Sequence, residues 1–330
     1  MVSPLAPSLG EFRAEIWHDG RPPAVLVYTV KRLLAIVPTL LVVVTLAFFA
    51  LRFLPGGPFD RERAVPAEIQ AALDARYHID EPLRVQYWRW LSDLALRGDL
   101  GPTFRYPNRT VNEIIAASLP VSATLGVLAL IFALAVGVPL GILGATRRGT
   151  VTDGVVTGAS LLAAAVPSFV LAPLLVLVFA LDLHLLPAAR WDSWRHAVLP
   201  VICTGLPAAA YFARLTRAGV IEVLGARFID AARARGLPEH LVIVRHALPG
   251  GLLPLVGYLG PAASGLLVGS MAIEKLFDVP GMGRYFVEAA ANRDYNLVLG
   301  VTIVYGVLVM ALNTAADLAH GLLDPRVRLR

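Results

Sequence analysis

The sequence predicts an all-α membrane protein with six transmembrane helices, and three observations carry that prediction. The 330 residues are 57% hydrophobic and 16% charged, with a mean hydropathy of +0.67, the balance of a polytopic membrane protein rather than a soluble domain. Apolar stretches near 33–54, 119–143, 155–181, 197–214, 252–273 and 297–323 are each long enough to cross a hydrocarbon core of roughly 30 Å. Basic residues gather at alternate ends of these stretches, as the positive-inside bias requires. The net charge of +5 is therefore read as topology and attraction to the membrane surface, not as nucleic-acid binding.

The elements follow in order. Residues 1–30 are polar and proline-containing, lack the pattern of a signal peptide, and read as a cytoplasmic arm in which 11–17 could make an amphipathic turn or two. Lys31 and Arg32 anchor the first transmembrane helix, 31–55, with its amino end inside. Residues 56–118 balance acidic and basic side chains and read as an external helical segment, with short helices at 66–77 and 82–96. The second of these carries Val85, Tyr87, Trp88, Trp90 and Leu91, an aromatic face suited to the interface and expected to pack on the spans. Asn108, Arg109 and Thr110 form a weak glycosylation triplet.

The membrane core, 119–323, holds spans two to six. Arg147 and Arg148 mark the cytoplasmic exit of the second span; the third runs outward through Pro167 and Pro173, and the fourth returns through Pro200 and Pro207. A cytoplasmic loop, 215–251, precedes the fifth span, and an external loop, 274–296, precedes the sixth. Arg326, Arg328 and Arg330 hold the tail, 324–330, inside. Frequent Pro and Gly within the spans call for protein neighbours that satisfy the freed backbone and allow close helix contact.

The cytoplasmic loop carries the most information. Arg214, Arg217, Arg227, Arg233, Arg235 and Arg245 stand against Glu222, Asp230 and Glu239, which by charge alone also describes an ordinary basic loop. Within it, 228–235 reads as a short helix in which Phe228, Ile229, Ala231 and Ala232 make one small apolar surface ringed by arginines. Gly236 and Pro238 end that helix, and a second short helix follows over 239–248. Two helices joined at a glycine form a knob suited to a groove on another protein.

Several kinds of chemistry are missing from the pattern. Lys31 and Lys275 are the only lysines and neither lies in a phosphate-cradling loop, so ATP hydrolysis is not expected of this chain. No catalytic residue and no metal site is assigned: the seven histidines lack ligand spacing, and Cys203 stands alone. No charge lies near the middle of a span, where ion-coupled carriers place theirs. Asp182 and Asp317 lie near span ends.

The loop spacing resembles the signature of the membrane subunits of ATP-binding-cassette (ABC) importers at Asp230, Ala231, Ala232, Gly236, His246, Leu248 and Pro249. Asp230 stands where glutamate is usual and His246 where isoleucine is usual. The resemblance extends from Leu33 to the carboxyl end through Leu54-Pro55-Gly56-Gly57-Pro58, the 85–101 segment, Pro167-Ser168-Phe169, Pro280-Gly281-Met282-Gly283-Arg284, Asn292-Arg293-Asp294-Tyr295 and Leu323-Asp324-Pro325-Arg326-Val327-Arg328. Together these stretches are similar to the B-type permease of the oligopeptide and dipeptide importers.

That resemblance implies a type I importer permease fold in the inner membrane of a bacterium, with both termini cytoplasmic. It also implies an assembly with a second homologous permease, two ATPase subunits that hold the ATP and Mg, and an external binding protein that delivers peptide. The signature residues become the ATPase-coupling loop. Candidates for the translocation path are Thr45, Ser122, Thr124, Ser168, Tyr211, Tyr258, Ser264, Tyr305 and Asn313, and candidates for binding-protein docking are Lys275, Asp278, Arg284, Arg293 and Asp294. Related importers of nickel chelates, glutathione or oligosaccharides remain open as cargo alternatives. The rival from a different class, a stand-alone secondary transporter, requires intramembrane charges and repeat symmetry, and neither is clear.

Overall fold

A computed structural model describes residues 24–53, 77–106 and 108–323. Among them the chain is helical, and the only β pairing is a single bridge between Pro102 and Thr110. The first span, α1 (Ala24–Phe53), is followed outside the membrane by α2 (Leu83–Arg97). Residues 24–30, assigned to the amino-terminal arm, are already helical and belong to α1. The expected helix at 66–77, the turn at 11–17 and the tail at 324–330 lie outside the described residues.

α3 (Val111–Thr146) opens on a capping box, in which Thr110 Oγ1 accepts from the Glu113 amide at 3.2 Å and Glu113 Oε2 accepts from the Thr110 amide at 3.1 Å. The pair satisfies two of the orphan donors at the helix start. Pro139 sits inside the helix without breaking it.

The third span is not one helix. α4 (Val151–Ala165) and α5 (Ser168–Leu175) meet at an angle of 101°, and α5 continues as a π turn over Val176–Asp182. Pro167 accounts for the break, because the residue before a proline is driven from the helical region and Val166 is extended at φ −82°, ψ 117°. Among the described residues five helices are long and apolar enough to cross a membrane, or six when this bent pair is taken as one span.

α6 (Trp194–Leu224) runs ten residues beyond the end expected at Arg214 and carries the chain well past its apolar stretch. Its core partner is α3. Gly137 and Gly141 lie against the backbone of Ala209 and Ala213 so closely that a β-carbon at either would clash, the close approach that small residues permit between membrane helices. The cytoplasmic loop follows as α7 (Arg227–Ala234) and a second helical segment. α8 (Leu253–Gly269) and α9 (Met271–Leu276), with a turn at Ser270 between them, together make one apolar span, Leu253–Leu276, close to the expected 252–273. The external loop expected at 274–296 is largely helical, with α10 (Met282–Ala291) between α9 and the sixth span, α11 (Tyr295–Leu323).

The aromatic face of α2 divides. Trp90 is buried, and Phe48 of α1 lies 5.2 Å from the Tyr87 ring and 6.1 Å from Trp90, whereas Trp88 and Val85 point outward. Outward-facing leucines and valines along the spans, such as Leu34, Val37, Leu46 and Leu162, make a surface suited to lipid.

Candidate functional site

Three regions concentrate the candidate residues, and the cytoplasmic knob is the best defined. In α7, Ile229 and Ala232 turn inward onto Val242 and Ala247, while Phe228 and Ala231 face out. The four residues therefore do not form one surface. At a spacing of three, Ile229 and Ala232 share one helix face and the other two share another. Gly236 closes α7 in the left-handed region at φ +78°. Its amide donates to the Arg233 carbonyl at 2.9 Å and the Leu237 amide donates to the Ala232 carbonyl at 3.4 Å, the paired bonds of a Schellman cap.

The second segment was expected to be a simple helix over 239–248. It comprises Glu239–Leu241, a π turn over Val242–Ala247, and Leu248–Gly251. Pro249 has no amide to close an ordinary turn and its ring crowds the carbonyl four residues back, so the preceding turn widens. The two segments are tied by Arg233, which donates to both Glu239 carboxylate oxygens at 3.1 and 2.7 Å. The Arg233 guanidinium holds the Glu239 carboxyl below the usual carboxylate range.

Around this small core, Phe228, Leu237, Leu241 and Val244 present apolar side chains to the outside. Asp230, Ala231, Gly236 and Pro249 are exposed with them, His246 and Leu248 are half-buried, and Ala232 is buried. The knob is joined to the membrane part by close backbone contact, since a β-carbon on Gly219 of α6 would collide with the Gly251 carbonyl oxygen. Arg217 of α6 in turn grips Asp153 of α4.

The second region is a cavity of about 370 Å³ among the spans, beside the break between α4 and α5. Ser168, Tyr211 and Tyr258 line it together with Thr204, Pro207 and Pro261. The Tyr211 and Tyr258 rings lie 4.5 Å apart, and Thr204 Oγ1 is buried without a hydrogen-bond partner among the described residues. Other path candidates have local tasks. Thr45 Oγ1 shares a 2.7 Å hydrogen bond with the Tyr87 hydroxyl, Thr124 donates to the Pro120 carbonyl, and Ser264 donates to the Gly260 carbonyl. Ser122 Oγ accepts from the Met282 amide at 2.8 Å, and Tyr305 is buried. Asn313, half-buried on α11, has an Oδ1 without a partner among the described residues.

The third region lies between α9 and α11 and is centred on Glu288, which the sequence reading did not single out. Its carboxylate accepts from Lys275, from Arg284 Nε at 3.2 Å and from the Tyr106 hydroxyl at 2.9 Å. Arg284 also pairs with Asp278 at 2.6 Å. Burial alone would raise the Glu288 carboxyl, and the bonds from Lys275, Tyr106 and Arg284 outweigh it, so its net shift is downward. Burial and the Glu288 carboxylate push the Tyr106 phenol up to about 12. Asp294 is fully buried: its oxygens accept from the Phe104, Arg105 and Leu297 amides at 3.0, 3.2 and 3.3 Å, with burial raising the carboxyl. It braces the start of α11 and is not on the surface with Lys275, Asp278 and Arg284, which Arg293 accompanies at the left-handed end of α10.

Glu274 was also overlooked. It is fully buried on α9 and reaches the start of α10, where Oε2 accepts from the Gly283 amide at 2.7 Å, while Oε1 accepts from Ser270 Oγ at 2.6 Å. A carboxylate is well placed at a helix amino terminus. The available signal was the Pro280-Gly281-Met282-Gly283 run, because Gly281 and Gly283 each pack so tightly on Glu274 that a β-carbon would not fit.

Comparison with known proteins agrees with this architecture. Residues 137–329 match the family model described as "Binding-protein-dependent transport system inner membrane component". The chain is 44% identical over 303 residues to the oligopeptide transport system permease protein OppB of Salmonella typhimurium, covering 91% of this chain and 99% of that one. It is 40% identical over 302 residues to the dipeptide transport system permease protein DppB of Bacillus subtilis, covering 92% and 98%. Among solved structures it is similar in fold to a chain of the inward-facing MetNI methionine ABC transporter, with a TM-score of 0.55 at 16% identity over 64% of this chain and 96% of that one. An amino acid ABC transporter gives 0.52 at 16% identity over 66% and 95%. The all-helical chain, with its type I importer permease fold, belongs to the family of inner-membrane permease components of binding-protein-dependent ABC transport systems.

Proposed function

We propose that this chain forms half of the translocation path of an ATP-driven importer of peptides, paired with a second homologous permease. Two ATPase subunits supply the ATP chemistry in this reading, an external binding protein delivers the peptide, and both termini lie in the cytoplasm of a bacterium. The observation that carries it is the knob of α7 and 239–251, a folded pair of short helices whose exposed Phe228, Leu237, Leu241 and Val244 have no task within the described chain. An apolar ridge flanked by arginines fits a cleft on a partner protein. The names of the relatives, oligopeptide and dipeptide permeases, support peptide as the cargo.

The lever is physical. Movement of the knob is carried by the Gly219–Gly251 contact into α6 and by Arg217 into α4. α4 and α6 carry walls of the Ser168, Tyr211 and Tyr258 cavity. A rigid element that both ends can bias is the requirement for coupling over such a distance. A cavity lined by aromatic rings and a few hydroxyls suits varied peptides, with selection left to the binding protein. On the outer face, Lys275, Asp278, Arg284 and Arg293 offer the charged docking surface.

The experiment is reconstitution of the whole importer with its binding protein in liposomes, with uptake of a labelled tripeptide and ATP hydrolysis measured together. Phe228→Glu, which alters only the exposed ridge, is expected to abolish stimulation of ATP hydrolysis by loaded binding protein and to lower uptake at least tenfold. Unchanged uptake would overturn the assignment of the knob, and wild-type complex that ignores every peptide offered would overturn the cargo.

A further inference from the structure

At the external end of α1, a cavity of about 280 Å³ opens between α1, α2 and the chain around Pro102. Its lining includes Arg52, Gln86, Trp90, Asp93, Asp99 and Asn296. The Arg52 guanidinium carbon lies 3.5 Å above the centre of the Phe48 ring and 5.3 Å from that of Tyr295. Its Nε donates to Gln86 Oε1 at 3.0 Å and one terminal nitrogen reaches the Phe48 carbonyl at 3.5 Å. Gln86 is pinned in turn, its amide nitrogen donating to the Ile79 and Glu81 carbonyls at 2.9 and 2.8 Å, which fixes the orientation of its oxygen.

A guanidinium carries five N–H donors in a planar fork. Among the described residues Arg52 meets only these two acceptors, and no carboxylate pairs with it. An arginine drawn between two aromatic rings without a counter-anion is costly unless an anion completes it. The second donor is independent. Trp90 lines the same cavity and is 7% exposed, and its indole Nε1 is buried with no acceptor among the described residues.

We propose that this cavity binds a small zwitterion whose oxyanion is held by Arg52 and Trp90. The planar fork of arginine matches the two oxygens of a carboxylate or phosphate. Asp93 and Asp99 share the lining with Arg52, so a bare polyanion is disfavoured and a ligand carrying an ammonium group is accepted. The volume is just below the roughly 300–1,000 Å³ of small-molecule sites, enough for a dipeptide-sized molecule or a lipid headgroup. This site is separate from the cavity between the spans and does not depend on the cargo reading.

The test uses the full chain purified with its native subunits in mild detergent. Dialanine and dialanine amide are titrated by calorimetry, and native mass spectrometry records whether phosphatidylethanolamine stays bound. Binding of dialanine but not of the amide, weakened at least tenfold by Arg52→Gln and several-fold by Trp90→Phe, supports a soluble zwitterion. Retained phosphatidylethanolamine that Arg52→Gln strips, with no dialanine binding, supports the lipid headgroup as the source. Wild-type protein that holds neither, or binding unchanged in both variants, overturns the proposal. Asp192→Asn, outside the cavity lining, serves as the variant expected to bind as wild type.

Discussion

Arg217 grips Asp153 with two nearly parallel hydrogen bonds, Nε to Oδ1 at 2.6 Å and a terminal nitrogen to Oδ2 at 2.8 Å. The pair joins α6, which carries the knob, to α4, which leads to the broken span. Asp153 also accepts from the Gly149 amide at 3.0 Å, so the turn between α3 and α4 is fastened to the same point. Its side chain is 9% exposed, and loss of the carboxylate charge leaves Arg217 without its partner. Asp153→Asn is expected to lower the Tm of the purified complex and to reduce peptide uptake more than ATP hydrolysis. Arg217→Lys keeps the charge but loses the fork and should fall between the two.

Gly236 permits a second, graded test. A β-carbon there meets open space, but the residue sits at φ +78°, where a side chain costs roughly 1–2 kcal/mol. Gly236→Ala is expected to retain much of the uptake. Gly236→Pro removes the amide that closes the cap and forbids the left-handed angle, so uptake should be lost while the protein remains in the membrane. Equal uptake by wild type and the proline variant would defeat the coupling role of this turn.

The crossing of Gly219 and Gly251 tests the lever itself. Backbone, not a flexible side chain, occupies the place of a Gly219 β-carbon, so the helices must separate to admit one. Gly219→Val is expected to cost at least about 1–3 kcal/mol and to loosen the knob, seen as faster proteolysis within 225–251 compared with wild type.

Acidification probes the Arg233–Glu239 tie. The folded-state Glu239 carboxyl lies below its ordinary value of 4.5, so its stabilising contribution is complete above that value and disappears as pH falls through the lowered one. The difference in Tm between wild type and Glu239→Gln should therefore be constant near neutrality and vanish on acidification below pH 4.5. Added salt should shrink it at any pH, because both partners are exposed. A difference that grew in acid would reverse the assigned sign.

Glu288 gathers three donors, from Lys275, Arg284 and Tyr106. Glu288→Gln is expected to free Lys275 and Arg284 from their shared anchor and to weaken docking of the binding protein several-fold, measured by surface plasmon resonance on the reconstituted complex. The Tyr106 phenol should titrate below about 12 in the variant, since one cause of its elevation has gone.

The sequence by itself determined what short-range physics controls. Apolar run length located the spans, and Gly236 with Pro238 marked the turn in the knob, because each signal acts within a few residues. The third span was expected to run unbroken through Pro167, and its 101° bend emerged only in the structure, where Ala172 packs with Leu199, Phe277 and Val279. Only tertiary structure decided which polar groups meet. Arg217 and Asp153 are 64 residues apart, and Phe104 and Asp294 are 190 apart. Nothing in the local pattern separates Ser168, Tyr211 and Tyr258, which share a cavity, from Thr124 or Ser264, which bond to their own helices. Nor could Glu274 be told from a solvated loop residue, or Arg52 from an ordinary anchor at a helix end. Such pairings depend on how closely helices approach, and that distance is set by glycines such as Gly137, Gly219 and Gly283 meeting a particular backbone across the packing interface.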